Sequence, residues 1–405
     1  EISECLVGSE MCIRDSSHNR DAGGHVFLPR EKLLAATAQL LDCDIDAAEK
    51  SLDDLIALHR IVQEGVANVT ACYLRQSWED ETYVVTRIEA MLADKPDALR
   101  GVERVIKEIE REQGVQYAPL QRQAVELAAK EELLLLTGGP GTGKTTSTRG
   151  IVTLLERMGL TVLLLAPTGR AAKRMSELCS REAQTIHRCL GMTFNELTGE
   201  VTFKKNEKDL LEADAVIVDE MSMVDLPLMD ALLAALKPGC RLVMVGDPDQ
   251  LPSVGPGNVL GDILRSGAVD SVTLTEVFRQ AEQSAIIRSA HAVNRGQTPD
   301  LSNKQSDFFF LCRRSPDRLV QTVVDLCRTR LPDKMGIPAG QIQVLTPTRR
   351  GECGTVQLNR CLQAALNPPS RTKNEKQFGD LIFREGDRVM QTKNNYHIKL
   401  HDETG

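Results

Sequence analysis

The sequence predicts an α/β protein whose main domain is a doubly wound parallel sheet. Three observations lead there. After Gly114, four bare apolar runs of strand length, at 133–136, 162–165, 215–218 and 242–245, alternate with helical segments; such runs suit strands buried on both faces and joined by crossover helices. The first run feeds a glycine-rich turn that opens a helix, and the third ends in Asp219-Glu220. Open parallel sheets bind their ligands outside the carboxyl ends of the strands, so the residues after each run carry the information.

Composition agrees with a soluble multidomain chain. At 405 residues and 44.6 kDa, a prior of about 150 residues per domain gives two or three domains. Hydrophobic residues at 41% and charged residues at 26% exclude wholesale disorder, collagen and coiled coil. No run approaches the roughly 18 apolar residues of a membrane span. The eleven cysteines are scattered, without a CxxC pair or a Cys/His zinc spacing, which fits free thiols in a reducing cytoplasm. The net charge of −8 argues at first against a polyanionic partner, but it is unevenly spread. Residues 17–116 hold twelve basic and nineteen acidic side chains, whereas 341–405 hold ten basic and seven acidic. Local patches, not whole-chain sums, bind phosphates.

Residues 1–16 match nothing that follows and are expected to be a non-native leader. Residues 17–115 are expected to form a helical accessory domain. Leu33, Leu34, Leu40 and Leu41 are spaced for a helix, Asp46 with Glu49 marks a second helix start, and 61–66 reads as a hairpin around Gly65. Two helices and a hairpin suggest a winged-helix-like unit. Longer helices at 73–92 and 97–113, the latter stopped by Gly114, complete it.

The chemistry begins after the first apolar run. Gly138-Gly139-Pro140-Gly141-Thr142-Gly143-Lys144-Thr145 is a full G-x-x-x-x-G-K-T phosphate loop between a strand and a helix expected at 146–158, with Thr146 next in line. Its glycines let backbone N–H groups approach phosphates, and the helix dipole favours the anion. Lys144 suits the β- and γ-phosphates and Thr145 suits Mg²⁺. After the third run, Asp219 suits Mg²⁺ through water and Glu220 suits the attacking water. After the fourth, Gln250 in Gly246-Asp247-Pro248-Asp249-Gln250 is placed to sense the γ-phosphate; the alternative is a plain Gly/Pro turn.

The series GGPGTGKTT, APTGRAA, TIHRCLG, VDEMSMVD, VGDPDQLPSVGPGNVL, LTEVFRQ, LTPTRRG and EGDRVMQTKNNY resembles the motifs of superfamily 1 helicases, and within them the RecD-like 5′→3′ DNA helicases of the B branch. The resemblance implies a P-loop NTPase (RecA-like) motor domain at 116–275 and a partial second one at 276–405. It implies ATP and Mg²⁺, with single-stranded DNA and duplex junctions as substrates, a cytoplasmic role in DNA repair or recombination, and no membrane. Single-strand-binding or repair proteins are candidate partners. A RecD-type subunit of a larger nuclease complex, or a nucleotide- and DNA-binding module without turnover, are the alternatives.

Carried over by motif, Gln121 falls at the adenine-reading glutamine. Thr168, Arg170 and His187 fall in segments that contact single-stranded DNA, although a lone histidine is as often structural. Lys173 and Arg174 read as a solvated helix face. Residues 194–205, turning at Thr198-Gly199, correspond to a pin that parts duplex, or to a plain surface hairpin. Arg279 corresponds to an arginine finger, and Arg349 with Arg350, after a strand-like run at 342–346, is expected to grip DNA phosphates from the second domain. The family's later motifs would lie beyond Gly405, where a small barrel-like insertion is starting, so a fragment is expected.

Overall fold

The computed structural model describes residues 24–94, 96, 99–194, 201–276, 283–302 and 307–390. The expected leader therefore lies outside the described residues. The accessory region opens with β1 (Phe27–Pro29), α1 (Arg30–Leu41), α2 (Ile45–Ala57), β2 (Ile61–Val66) and β3 (Val69–Leu74). The three strands form an antiparallel sheet in the order β1-β3-β2. Leu33, Leu52, Leu55, Ile61 and Cys72 form its small core.

Three local expectations need correction. The hairpin turns at Ala67 and Asn68, both at positive φ (46° and 66°), while Gly65 sits inside β2 opposite Thr70. Two successive left-handed residues give the turn twist that matches a right-handed ribbon. Tyr73 belongs to β3, and the following helix α3 runs Arg75–Ala93. Likewise α2 starts at Ile45, so Asp46 lies within its first turn, where the helix dipole favours a carboxylate, and does not cap it. Next come α4 (Val102–Gln113), which ends at left-handed Gly114, and α5 (Pro119–Lys130).

The main sheet follows. Its elements are β4 (Leu133–Gly138), α6 (Lys144–Arg157), β5 (Val162–Ala166), α7 (Gly169–Cys179), β6 (Ala183–Thr185), the short α8 (Ile186–Cys189), a hairpin of β7 (Met192–Phe194) and β8 (Val201–Phe203), then β9 (Ala215–Val218), α9 (Leu226–Ala235), β10 (Arg241–Gly246), α10 (Val259–Ser266) and β11 (Ser271–Leu274). The six strands pair in parallel in the order β11-β4-β10-β9-β5-β6. The four apolar runs are central strands, as their composition required. Alternate side chains feed opposite cores: Leu133, Leu135, Val216, Val218, Leu242 and Met244 on one face, and Leu134, Leu136, Ala215, Ile217, Val243 and Val245 on the other. Both faces being covered, neither needs polar residues. Val84 and Met91 of α3 join the first core, so that helix is packed into the motor sheet.

The chain divides into two compact units, one of residues 1–300 with 304–308 and one of 301–303 with 309–405. Helix α11 (Ala285–Asn294) falls in the first. The second holds α12 (Pro316–Asp325), which runs through a π-helical turn (Leu326–Arg330) into α13 (Leu331–Met335). It also holds α14 (Thr355–Leu366) and an antiparallel pair, β12 (Glu375–Phe378) with β13 (Leu381–Arg384). The run at 342–346 is not a strand: no neighbouring strand pairs with it among the described residues.

Candidate nucleotide site and the adjoining sheet edge

The phosphate loop is built by steric necessity at its first glycine. Gly138 leaves β4 at φ 158°, and a Cβ there would lie 2.6 Å from Thr142 Oγ1 and 2.8 Å from the Leu274 carbonyl. At the far end Gly143, at φ 85°, precedes the first helical residue, Lys144. Helix α6 therefore starts two residues earlier than its sequence pattern implied, which puts the lysine and Thr145 in the first turn. Lys144 Nζ donates to the carbonyls of Gly138 and, at 3.0 Å, of Gly139. Thr142 Oγ1 donates to the same Gly139 carbonyl at 2.9 Å.

Three carboxylates act on this ammonium through their charge. Burial pulls the Lys144 pKa down, and the charges of Asp247, Glu220 and Asp219 oppose that shift. Asp219 and Glu220 follow β9, and Asp247 follows β10, the strand between β9 and β4. Burial lifts the Asp219 carboxyl above the usual carboxylate range, against the Glu220 N–H that donates to its Oδ1 at 2.9 Å. Glu220 is lifted too, by burial first and by the Asp219 charge second. Its backbone is left-handed (φ 56°), a conformation that a non-glycine residue enters at a cost of about 1 kcal/mol or more. That residue turns the chain at the strand end, between Asp219 and the short helix that starts at Met221.

Asp247 is the residue the sequence did not mark. It is 2% exposed, its Oδ1 accepts from the Asp249 N–H at 3.1 Å, and its charge acts on Lys144 ahead of the other two. Gln250 is exposed and lines a cavity of about 510 Å³ with Pro140, Asp247 and α11. Gln121 is 3% exposed. Its Oε1 accepts from the Ala118 N–H at 3.1 Å and its Nε2 donates to the Gly143 carbonyl at 3.4 Å. The amide thus ties the first turn of α5 to the phosphate loop.

Three of the DNA-contact candidates, Thr168, Arg170 and His187, follow the carboxyl ends of β5 and β6. Thr168, after β5, caps α7 by accepting from the Ala171 N–H at 3.3 Å, and Arg170 is exposed in the first turn. Lys173 and Arg174 are exposed as expected, yet the Arg174 charge also reaches Asp219, Glu220 and Lys144. His187 is half-buried, its ring 6.5 Å from that of Phe203 on β8. Burial pushes its pKa down, with the Asp225 charge opposing. In the β7–β8 hairpin Phe194 and Val201 are exposed at 57% and 49%, and residues 195–200, with the expected turn, lie outside the described residues. Arg279 also lies outside them. In the second unit Arg349 and Arg350 are exposed just before α14, the Arg349 carbonyl accepting the Val356 N–H at 3.3 Å.

Residues 121–256 match the AAA domain model, and residues 358–401 match the model of the ATP-dependent RecD-like DNA helicase SH3 domain. An ATP-dependent RecD2 DNA helicase from Deinococcus radiodurans is 34% identical over 390 residues, covering 94% of this chain and 52% of that protein. The chain belongs to the RecD-like helicase family. The RecBCD enzyme subunit RecD is also similar to this RecD-like chain: that of Mycobacterium tuberculosis is 30% identical over 372 residues (82% of this chain, 62% of that protein), and that of Mycolicibacterium smegmatis 35% over 369 (82% and 64%). The chain spans between about half and just under two thirds of the length of these relatives. A Pif1 helicase from Candida albicans aligns over 46% of each chain at 24% identity with a TM-score of 0.35, too slight a likeness to carry an argument.

Proposed function

We propose that this RecD-like chain carries the motor of an ATP-driven DNA helicase that moves 5′→3′ on single-stranded DNA and parts duplex at a junction, in DNA repair or recombination. The observation that carries the reading is the meeting of Lys144 with Asp219, Glu220 and Asp247 at the carboxyl ends of the neighbouring strands β4, β9 and β10. A half-buried ammonium donating to loop carbonyls is ready to exchange them for phosphate oxygens, which are stronger acceptors. Thr145 and Asp219 offer only oxygen donors, the set a hard divalent cation takes. Among the described residues no group of three or more His, Cys, Asp or Glu side chains is placed to hold a metal alone. Such a cation would complete its shell from phosphates and water, and when bound would neutralise charge on the phosphates.

Glu220 acts as the base that orients and deprotonates the attacking water; its raised pKa strengthens it for that task. Gln250 reads the terminal phosphate, Gln121 the adenine, and Gly139, Pro140, Gly141, Thr142, Gly143 and Thr146 complete the cradle. Arg279 supplies the finger. Thr168, Arg170, His187 and Arg349 grip the DNA backbone, where phosphate contacts position the strand without reading its sequence. The hairpin at 194–205 is the wedge. A cytoplasmic location fits this role, and among the described residues no helix is long and apolar enough to cross a membrane.

The RecD subunits among the relatives favour a second reading, in which this chain works inside a larger complex. Steady-state ATP hydrolysis with and without single-stranded DNA tests the first. Hydrolysis stimulated severalfold by DNA is expected; a rate indifferent to DNA overturns the coupling. A large partner co-purifying at fixed stoichiometry selects the second reading.

A further inference from the structure

One contact at the phosphate loop has no part in the roles above. His291 of α11 lies against Gly139: a Cβ built on Gly139 would meet His291 Cε1 at 2.9 Å, Nδ1 at 3.7 Å and Nε2 at 3.8 Å. The carbonyl of the same glycine holds Lys144 Nζ and Thr142 Oγ1. His291 Nε2 is buried and has no hydrogen-bond partner. A buried polar atom left unpaired costs free energy, and in a folded protein it marks strain or a missing ligand atom. The ring also lines the cavity of about 510 Å³ together with Pro140, Asp247, Gln250 and Ser289. That wall adjoins the loop on the side where Gln250 stands.

We propose that His291 is a further residue of the nucleotide site, donating from Nε2 to the terminal phosphate of a bound nucleoside triphosphate. The inference rests on the reading of the loop as a nucleotide site. A polyphosphate draws Lys144 Nζ away from the Gly138 and Gly139 carbonyls, because an anionic oxygen accepts more strongly than a peptide carbonyl. Gly139 is then held only by Thr142 and by the imidazole packed on it, and the peptide can shift to admit an oxygen beside the ring. A triphosphate brings the acceptor that Nε2 lacks. A diphosphate satisfies Lys144 and leaves Nε2 unpaired. His291 therefore discriminates between the two nucleotides, where Lys144 holds both.

The test is equilibrium binding, with Mg²⁺ present, of a fluorescent non-hydrolysable ATP analogue and of fluorescent ADP. The proteins are the parent chain, His291→Leu, His291→Gln and Lys144→Ala, each checked for folding by thermal melting. Loss of a hydrogen bond to a charged group corresponds to about tenfold or more in affinity. His291→Leu, which fills the space without a donor, is expected to weaken the triphosphate analogue by about that factor and to leave ADP within about twofold. His291→Gln, which keeps an N–H at similar reach, is expected to recover most of the loss. Equal weakening of both nucleotides, or of neither, overturns the role of His291 while leaving the nucleotide site intact. If His291→Leu does not fold, the same comparison with His291→Ala decides. A parent chain that binds neither nucleotide, or a Lys144→Ala variant that binds both normally, overturns the underlying reading instead.

Discussion

Lys144 is the residue on which the nucleotide site turns. The charges of three carboxylates act on its ammonium, which donates to the carbonyls of the loop. Lys144→Ala should abolish ATP hydrolysis while moving the melting temperature little, since the side chain bonds only to loop carbonyls; a rate assay beside a thermal melt checks both halves. The two acids of β9 should separate. Glu220→Gln keeps the shape and removes the base, so nucleotide binding should persist while turnover falls by about 10² or more. Asp219→Asn should instead raise the Mg²⁺ concentration needed for half-maximal rate. Identical behaviour of the two variants would end the division of roles. At this scale the motif residues were legible because each follows an apolar run. Asp247 was not: one carboxylate in a Gly/Pro-rich turn looks like any loop acid until β10 is seen to lie between β4 and β9. The solvated reading of Arg174 missed that α7 carries its charge back toward Asp219 and Glu220.

Elements carry two further predictions. Where α3 meets α9, Asp230 has its pKa pushed up to about 7 by burial first, then by the charges of Asp80 and Glu207. Asp80, 5% exposed on α3, is raised as well, again chiefly by burial, with Gln76 donating to its Oδ1 at 2.7 Å. The folded state holds these protons more tightly than the unfolded chain does. Stability should therefore fall as pH rises from about 4 through about 7, the window between the unfolded and folded values of Asp230. Asp230→Asn should flatten that slope and raise the melting temperature at pH 8 by about 1–2 °C, the shift that about 1 kcal/mol gives a unit of this size. The second concerns the hairpin. Phe203 touches the first core and His187, whereas Phe194 and Val201 project into solvent. Replacing 194–201 with a Gly/Ser linker should spare DNA-stimulated hydrolysis and impair strand separation. Unwinding at the parental rate would leave it a surface hairpin. Central strands were easy to read because burial on both faces leaves an unbroken apolar run. The accessory strands were harder: in Val69–Leu74 the three buried residues are consecutive and two of them are small, so no alternation announces a strand, and the turn rests on Ala67 and Asn68 while the nearby glycine stays extended.

Across the whole molecule, the sequence was most legible where one sheet buries everything and least where packing is sparse. In the second unit only Cys327 and Leu358 are buried apolar residues among those described, so periodicity has little core to report and the run at 342–346 could pass for a strand. Helix α11, beyond the expected start of the second motor domain at 276, falls in the first compact unit, where His291 lies against Gly139. A helix of mixed apolar and polar residues does not say which neighbour it will choose. The account as a whole stands on directional strand separation driven by ATP at Lys144. The measurement that reaches it most directly is unwinding of duplexes bearing a single-stranded tail at the 5′ or the 3′ end, by the parent chain and by Lys144→Ala. The account predicts ATP-dependent unwinding of the 5′-tailed duplex, little of the 3′-tailed one, and none by the variant; equal unwinding of both, or separation that survives Lys144→Ala, would contradict it.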